Sequence, residues 1–359
     1  MTKRSIGTAL AASLLLLATV VPAKAWDREH ARTFAVLPAG SSGPEGLTVG
    51  PDGNIYVTTF GFNSAGAVTG TGQLFVYAPS GKLLRQVAIT GSSVHLLGLA
   101  FNPATRGPQN GNLGDLIVLD FGAGKALKVN PVTGAASVFM TAPVLIAAGP
   151  GLNGLTFDRL GNVYISDSFQ GVIWKTGPAG GTPTQWVNDP LLRTTGVPPF
   201  GANGIEFNHA GDTAFIANTG DDTVISVPVL ADGSAGQPAI FVNSINGADG
   251  IAIDAHDNLW VAANQADEMV VVNPQGKAIA KLGDFNGITD KGEPNGLLFP
   301  ASPAFSLDGA YLYVTNLALD ITVLGMPQAV DSQWAHQVNH YTIARIPTRL
   351  PVLPDGDDD

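Results

Sequence analysis

Apolar and polar positions in this chain alternate in short runs, and no helical period of 3.6 is sustained beyond the N-terminus. One run reads Gly43-Pro44-Glu45-Gly46-Leu47-Thr48-Val49, then a turn at Pro51-Asp52-Gly53-Asn54, then Ile55-Tyr56-Val57. A second reads Gly151-Leu152-Asn153-Gly154-Leu155-Thr156-Phe157, then a turn ending Gly161-Asn162, then Val163-Tyr164-Ile165. A third opens at Gly201-Ala202-Asn203-Gly204-Ile205 and continues past His209-Ala210-Gly211 to Ala214-Phe215-Ile216. A fourth opens at Gly247-Ala248-Asp249-Gly250-Ile251 and continues to Asn258-Leu259-Trp260-Val261. Each is a short apolar strand, a tight turn, and a second strand of β-branched and aromatic residues. A third strand follows at Gln73–Tyr77, Gly171–Lys175, Thr223–Val227 and Glu268–Val272. A fourth apolar strand completes each unit.

Two weaker copies begin at Leu97-Gly98-Leu99 and Ala301-Ser302-Pro303. Corresponding positions then fall at 45, 97, 153, 203, 249 and 301, a period near fifty. A four-stranded unit repeated six times predicts an all-β fold, a six-bladed β-propeller with four-stranded blades. The last unit lacks a strand of its own: after Asn316 comes an insertion from about Leu317 to Val338, then one strand at Tyr341–Ile346. The missing fourth strand is expected at Thr33–Leu37, which closes the last blade with the N-terminal strand and removes a free edge.

The first 25 residues follow a different pattern. Lys3 and Arg4 precede an apolar run from Ile6 to Val21, and Ala23-Lys24-Ala25 offers small residues for cleavage before Trp26. The run is about sixteen residues, short of the roughly twenty that span a bilayer, so residues 1–25 read as an export signal. The expected organisation is a signal peptide at 1–25, the propeller at 26–350 and an acidic tail at 351–359. The location is periplasmic or secreted, and the mature chain is a soluble monomer free of the membrane. Glycine (44) and proline (25) make up about a fifth of the 359 residues, which excludes a helical bundle. The net charge of −11 argues against nucleic acid as a partner. With no cysteine, disulfides, thiolate nucleophiles and cysteine–zinc sites are excluded.

Inner strands of a propeller surround its axis, so equivalent positions on them form a ring: Glu45, Leu97, Asn153, Asn203, Asp249 and Ala301. Four of the six are carboxylate or carboxamide, and each of those is followed by glycine. Two carboxylates and two amide oxygens are hard ligands whose charge matches one divalent cation. Calcium suits such a set; magnesium would need a stricter octahedron, and zinc is disfavoured without histidine or cysteine. His95, two residues before the ring position of the second unit, is a candidate to overhang the mouth and meet a substrate.

The motifs Gly-Pro-Glu-Gly at 43–46, Leu-Asn-Gly at 152–154, Ala-Asn-Gly at 202–204 and Ala-Asp-Gly at 248–250 resemble the gluconolactonase/regucalcin-like six-bladed propellers, which are related to calcium-dependent phosphotriesterases and paraoxonases. The resemblance covers essentially the whole mature chain. It implies metal ligation by Glu45, Asn203 and Asp249, with Asn153 either at the substrate or a fourth ligand. The catalytic histidine of paraoxonase-like members would fall at Leu97, and the sixth-blade histidine of the phosphotriesterases near Ala301–Ser302; both are absent here. The expected function is a secreted calcium-dependent hydrolase of a small-molecule lactone or related ester, with Asp249 as general base or as nucleophile. The alternative is a non-enzymatic propeller, similar to NHL repeats, with a structural metal and a peptide or glycan on its upper face.

Overall fold

The computed structural model describes residues 30–350; the expected export signal and acidic tail lie outside that range. Six four-stranded antiparallel sheets are present, and neighbouring inner strands touch all the way round the axis. The inner strands are Pro44–Val49, Leu96–Phe101, Leu152–Phe157, Ala202–Phe207, Ala248–Ile253 and Pro300–Phe305, in blades one to six. The fold is the expected β-propeller. Within the insertion, which spans residues 317–341, the only α-helical segment among the described residues is Ser332–Ala335.

Blade six closes as the sequence predicts. Its strands run Pro300–Phe305, Tyr311–Asn316, Thr342–Pro347 and, outermost, Arg32–Val36. The seam pairs Arg32 with Arg345 and Val36 with Thr342. The first strand of the described chain therefore completes the sheet that the last strand leaves open, and no unpaired edge remains at the join.

The recurring turn between first and second strands has a local cause. Asp52 accepts from the Asn54 N–H, the Asn54 amide and the Tyr56 hydroxyl. Asp158 does the same for Asn162 and Tyr164, and Asp254 for Asn258 and Trp260. A carboxylate that satisfies turn amides and anchors the aromatic of the next strand explains why Asn is followed two residues later by Tyr or Trp in these three blades, with an Asp two or four residues before the Asn. Those aromatics pack between blades: Tyr56 and Leu74 meet Leu99, Phe101 and Val118 of the next blade in one buried cluster.

Two features at the top of each inner strand position the ring. The ladder to the second strand shifts register at the ring position in all six blades, as between Leu152 and Leu155 or Ala248 and Ile251. Such a bulge re-aims a side chain. The residue after it is Gly46, Gly98, Gly154, Gly204 or Gly250 in blades one to five. A Cβ on any of these would lie closer than 3.0 Å to the carbonyl oxygen of the next blade's ring residue. None of the five has positive φ, so the glycine is required by close approach and not by turn conformation. Hydroxyls on second strands reinforce the contact: Thr58 donates to the Leu97 carbonyl, Ser166 to that of Asn203 and Thr315 to that of Glu45.

This geometry makes a direct stability prediction. Gly204→Ala places a methyl against the Asp249 carbonyl, the Ile251 nitrogen and the Gly250 Cα, and should destabilise by about 2–3 kcal/mol. Gly177→Ala, where nothing lies within 4 Å, should be neutral or raise stability by up to about 1 kcal/mol. Urea unfolding of the two variants checks this; equal midpoints would show that the axis is looser than described.

Candidate metal and substrate site

Glu45, Asn153, Asn203 and Asp249 converge on one small cavity at the top of the axis. All four are 4–5% exposed. The cavity is about 20 Å³, enough for a single water-sized occupant. Leu97 completes the lining from blade two, where the histidine of paraoxonase-like proteins would stand.

A second tier lies directly behind the ring, one position beyond each second strand's pairing with the first. In blades three, four and five it holds Ser168, Thr219 and Asn264; in blades six, one and two it holds Leu317, Phe60 and Phe121. The mouth is thus polar on one side and apolar on the other. On the polar side Asn153 donates through its amide to Ser168 Oγ (3.1 Å), and Ser168 Oγ donates to the Ala202 carbonyl (2.7 Å). Asn203 donates to Thr219 Oγ1 (2.9 Å), which donates to the Ala248 carbonyl (2.8 Å). Asn264 donates to Asp249 Oδ2 at 2.9 Å. These bonds fix three ring side chains and use none of the Asn153 and Asn203 amide oxygens.

Asn264 joins the site, although the sequence offers it only as one of four residues that could line the upper surface. Its spacing groups it with Asp167, Asn218 and Asn316 as a residue following a second strand. The register separates them: Asp167, Asn218 and Asn316 pair with the first strand, whereas in blade five that place belongs to Ala263. The three others serve structure. Asp167 accepts from Gly151 and Trp174, Asn218 donates to the Leu191 and Arg193 carbonyls, and Asn316 bonds Gly296, Leu298 and Thr342.

His95 does not line the cavity. Its Nδ1 lies 2.7 Å from the Phe60 carbonyl, and its ring stacks on Phe62 at 4.8 Å. It braces the apolar wall from behind.

The electrostatics of the ring are unbalanced. Burial, followed by the Asp249 charge, pushes the Glu45 carboxyl well above the usual carboxylate range. Burial also raises Asp249, against the opposing hydrogen bonds of Asn264, Asn203 and the Gly250 N–H. Glu45 Oε2 and Asp249 Oδ1 are buried with no hydrogen-bond partner. Two partnerless carboxylate oxygens, with amide oxygens beside them, are costly unless protonated or bridged by a cation. The donor set fits a hard divalent ion. Among the described residues no cluster of three His, Cys, Asp or Glu forms a metal site, so any cation here depends on carboxamides as well as carboxylates.

The family resemblance stands up to comparison with known proteins. Residues 198–283, which hold Asn203 and Asp249, match a family model described as the SMP-30/Gluconolactonase/LRE-like region. Residues 32–60, which hold Glu45, match the N-terminal model of strictosidine synthase-like proteins. Among solved structures, a luciferin-regenerating enzyme superposes with a TM-score of 0.58 at 17% identity, covering 88% of this chain and 95% of that one. Regucalcin from Agrobacterium tumefaciens, described as a calcium-binding protein, gives 0.57 at 17%, covering 86% and 92%. A gluconolactonase from Xanthomonas campestris gives 0.57 at 13%, covering 90% and 92%. No curated protein sequence matches the chain significantly. The chain is a six-bladed propeller of the fold these proteins share, and it carries an SMP-30/gluconolactonase/LRE-like region across blades four and five.

The raised carboxyls set a pH dependence with a definite sign. In cation-free protein the folded pair holds protons that the unfolded chain releases near pH 4. The unfolded state binds fewer protons above that point, so stability should fall as pH rises. Asp249→Asn removes one titrating member, and its melting temperature should fall less than that of the wild type between pH 5 and 8. Thermal melts in chelator across that range check this; parallel curves would mean that Asp249 is not desolvated in solution.

Proposed function

We propose that the protein is a calcium-dependent hydrolase of a lactone or related ester, exported from the cell by residues 1–25. The observation that carries this reading is the pair of buried, partnerless carboxylate oxygens of Glu45 and Asp249 beside two tethered asparagines. Glu45, Asn203 and Asp249 would hold the cation, with Asn153 at its edge as fourth ligand or as a contact to the substrate. A bound calcium supplies Lewis-acid polarisation of a carbonyl oxygen and stabilises the charge that develops on it. The protein's own residues do the rest. Asn264 holds the Asp249 carboxylate in orientation through Oδ2, which leaves Oδ1 to face the cavity's occupant. Asp249 would take a proton from an attacking water or attack the carbonyl itself. The apolar tier of Phe60 and Leu317 excludes bulk water from the ring, which strengthens every charge interaction inside it.

The small size of the cavity favours a second reading, in which the metal is structural and the upper face binds a peptide or glycan. Turnover decides between the two. Calorimetry should show calcium binding to the wild type and a loss of tenfold or more in affinity for Asp249→Asn, because ligand charge helps set the dissociation constant. Calcium should raise the melting temperature of the wild type, and raise that of the variant much less. A panel of lactones and aryl esters should be hydrolysed with calcium and not with chelator. Wild-type calcium affinity in Asp249→Asn would remove the ring as a metal site; calcium binding without turnover would favour the structural reading.

A further inference from the structure

Around the ring, the wall of the site is almost entirely apolar. Phe60, Leu97, Pro198, Phe200, Phe299, Leu317 and Leu319 line it, and Asn264 alone among the non-ring lining residues is polar. The Asn264 amide nitrogen is spent on Asp249, which leaves its buried oxygen as the single unpartnered acceptor in that wall. Four phenylalanines are linked around it by a chain of aromatic contacts. Phe60 meets Phe121 at 5.7 Å, Phe121 meets Phe169 at 5.2 Å, and Phe169 stacks on Phe200 at 5.8 Å. Phe60 is buried, while Phe121, Phe169 and Phe200 are half-buried. The series begins and ends on residues that line the cavity, with Phe121 and Phe169 linking them.

The insertion of blade six caps this wall. Leu317, Leu319 and Ile321 are buried in one cluster with Phe60, Leu97 and Phe299. With the cap in place the cavity admits an ion and nothing larger. Any organic occupant therefore displaces part of the cap and must itself cover the leucine and phenylalanine faces it uncovers. An apolar group does so favourably. A polyol does not: Asn264 Oδ1 can accept from one hydroxyl, and every further hydroxyl placed against these faces loses its water and finds no partner.

We infer that the site is selective for lactones or esters bearing an aliphatic or aryl substituent, and that it rejects sugar lactones. This rests on the hydrolase reading for the ester group itself and adds the chemistry of the substituent. The ring engages the carbonyl. The wall formed by Phe60, Phe200 and Phe299 takes the apolar part, with Leu317 and Leu319 closing over it.

The test uses the full-length calcium-loaded protein and non-hydrolysable lactams, so that binding is read without turnover. Calorimetry would compare δ-valerolactams carrying ethyl, butyl and hexyl substituents with gluconolactam. The expected result is an affinity that rises by up to about fourfold per buried methylene, with no binding of gluconolactam at millimolar concentration. Phe200→Ser, at a half-buried loop position, should flatten the dependence on chain length, and Phe200→Leu should retain it; thermal melts confirm that both variants are folded. Gluconolactam binding as tightly as the hexyl lactam, an affinity independent of chain length, or no binding by any lactam would each overturn the inference. Hydrolysis is a separate readout. If the alkyl series binds as expected but no lactone or ester is turned over, the hydrolase reading fails and the apolar selectivity of the mouth stands.

Discussion

Six blades close into a ring only if adjacent inner strands approach to backbone distance around the axis. The glycine after each ring residue permits this in five of the six blades, because its missing Cβ is where the next blade's carbonyl sits. Everything functional follows from that contact. The bulge just before each glycine turns the ring side chain inward, and the close approach brings Glu45 of blade one and Asp249 of blade five to the same small cavity. A wider axis would let water solvate the two carboxylates separately, and their pull on a cation would weaken.

Much of this was legible in the chain itself. The turn with Asn followed by an aromatic recurs in blades one, three and five because one carboxylate satisfies the turn amides and anchors the next strand, so much of the copying of blades is written locally. The ring residues stand out for the same reason, as polar side chains preceding glycine at a fixed point of the repeat. Closure of the last blade by the N-terminal strand followed from counting strands. Asn264 was harder to find, because spacing after a strand does not reveal a one-residue difference in pairing. The cap was visible only as an insertion. Which of its leucines reach the ring depends on the path of a loop with no repeat to copy, and periodicity carries no information about that. His95 shows the limit of proximity in sequence: two residues from a ring position, it faces the Phe60 carbonyl instead of the cavity.

The division of the second tier into a hydroxyl and amide half and a hydrocarbon half gives each side a separate task. Ser168 and Thr219 hold the asparagines by one bond and the next blade's backbone by another. Ring geometry is thus tied to blade packing on that side. Phe60, Phe121 and Leu317 make no such ties, and their contacts are non-directional. A wall of this kind can adapt to occupants of different shape while the opposite half keeps the charged groups registered.

The seam in blade six has a kinetic consequence. The strand Arg32–Val36 is made long before its partner Thr342–Pro347, with all the other blades between them in the chain. Until then the early strand has no neighbour in its own sheet, and the blades between can form only an open arc. Bringing the two together closes a loop that spans nearly the whole chain, an entropic cost met late and all at once. Completion of the ring, and with it the meeting of Glu45 and Asp249 across the axis, therefore waits on the C-terminal strand. A nascent or truncated chain that lacks it would hold every ring residue and still have no assembled site.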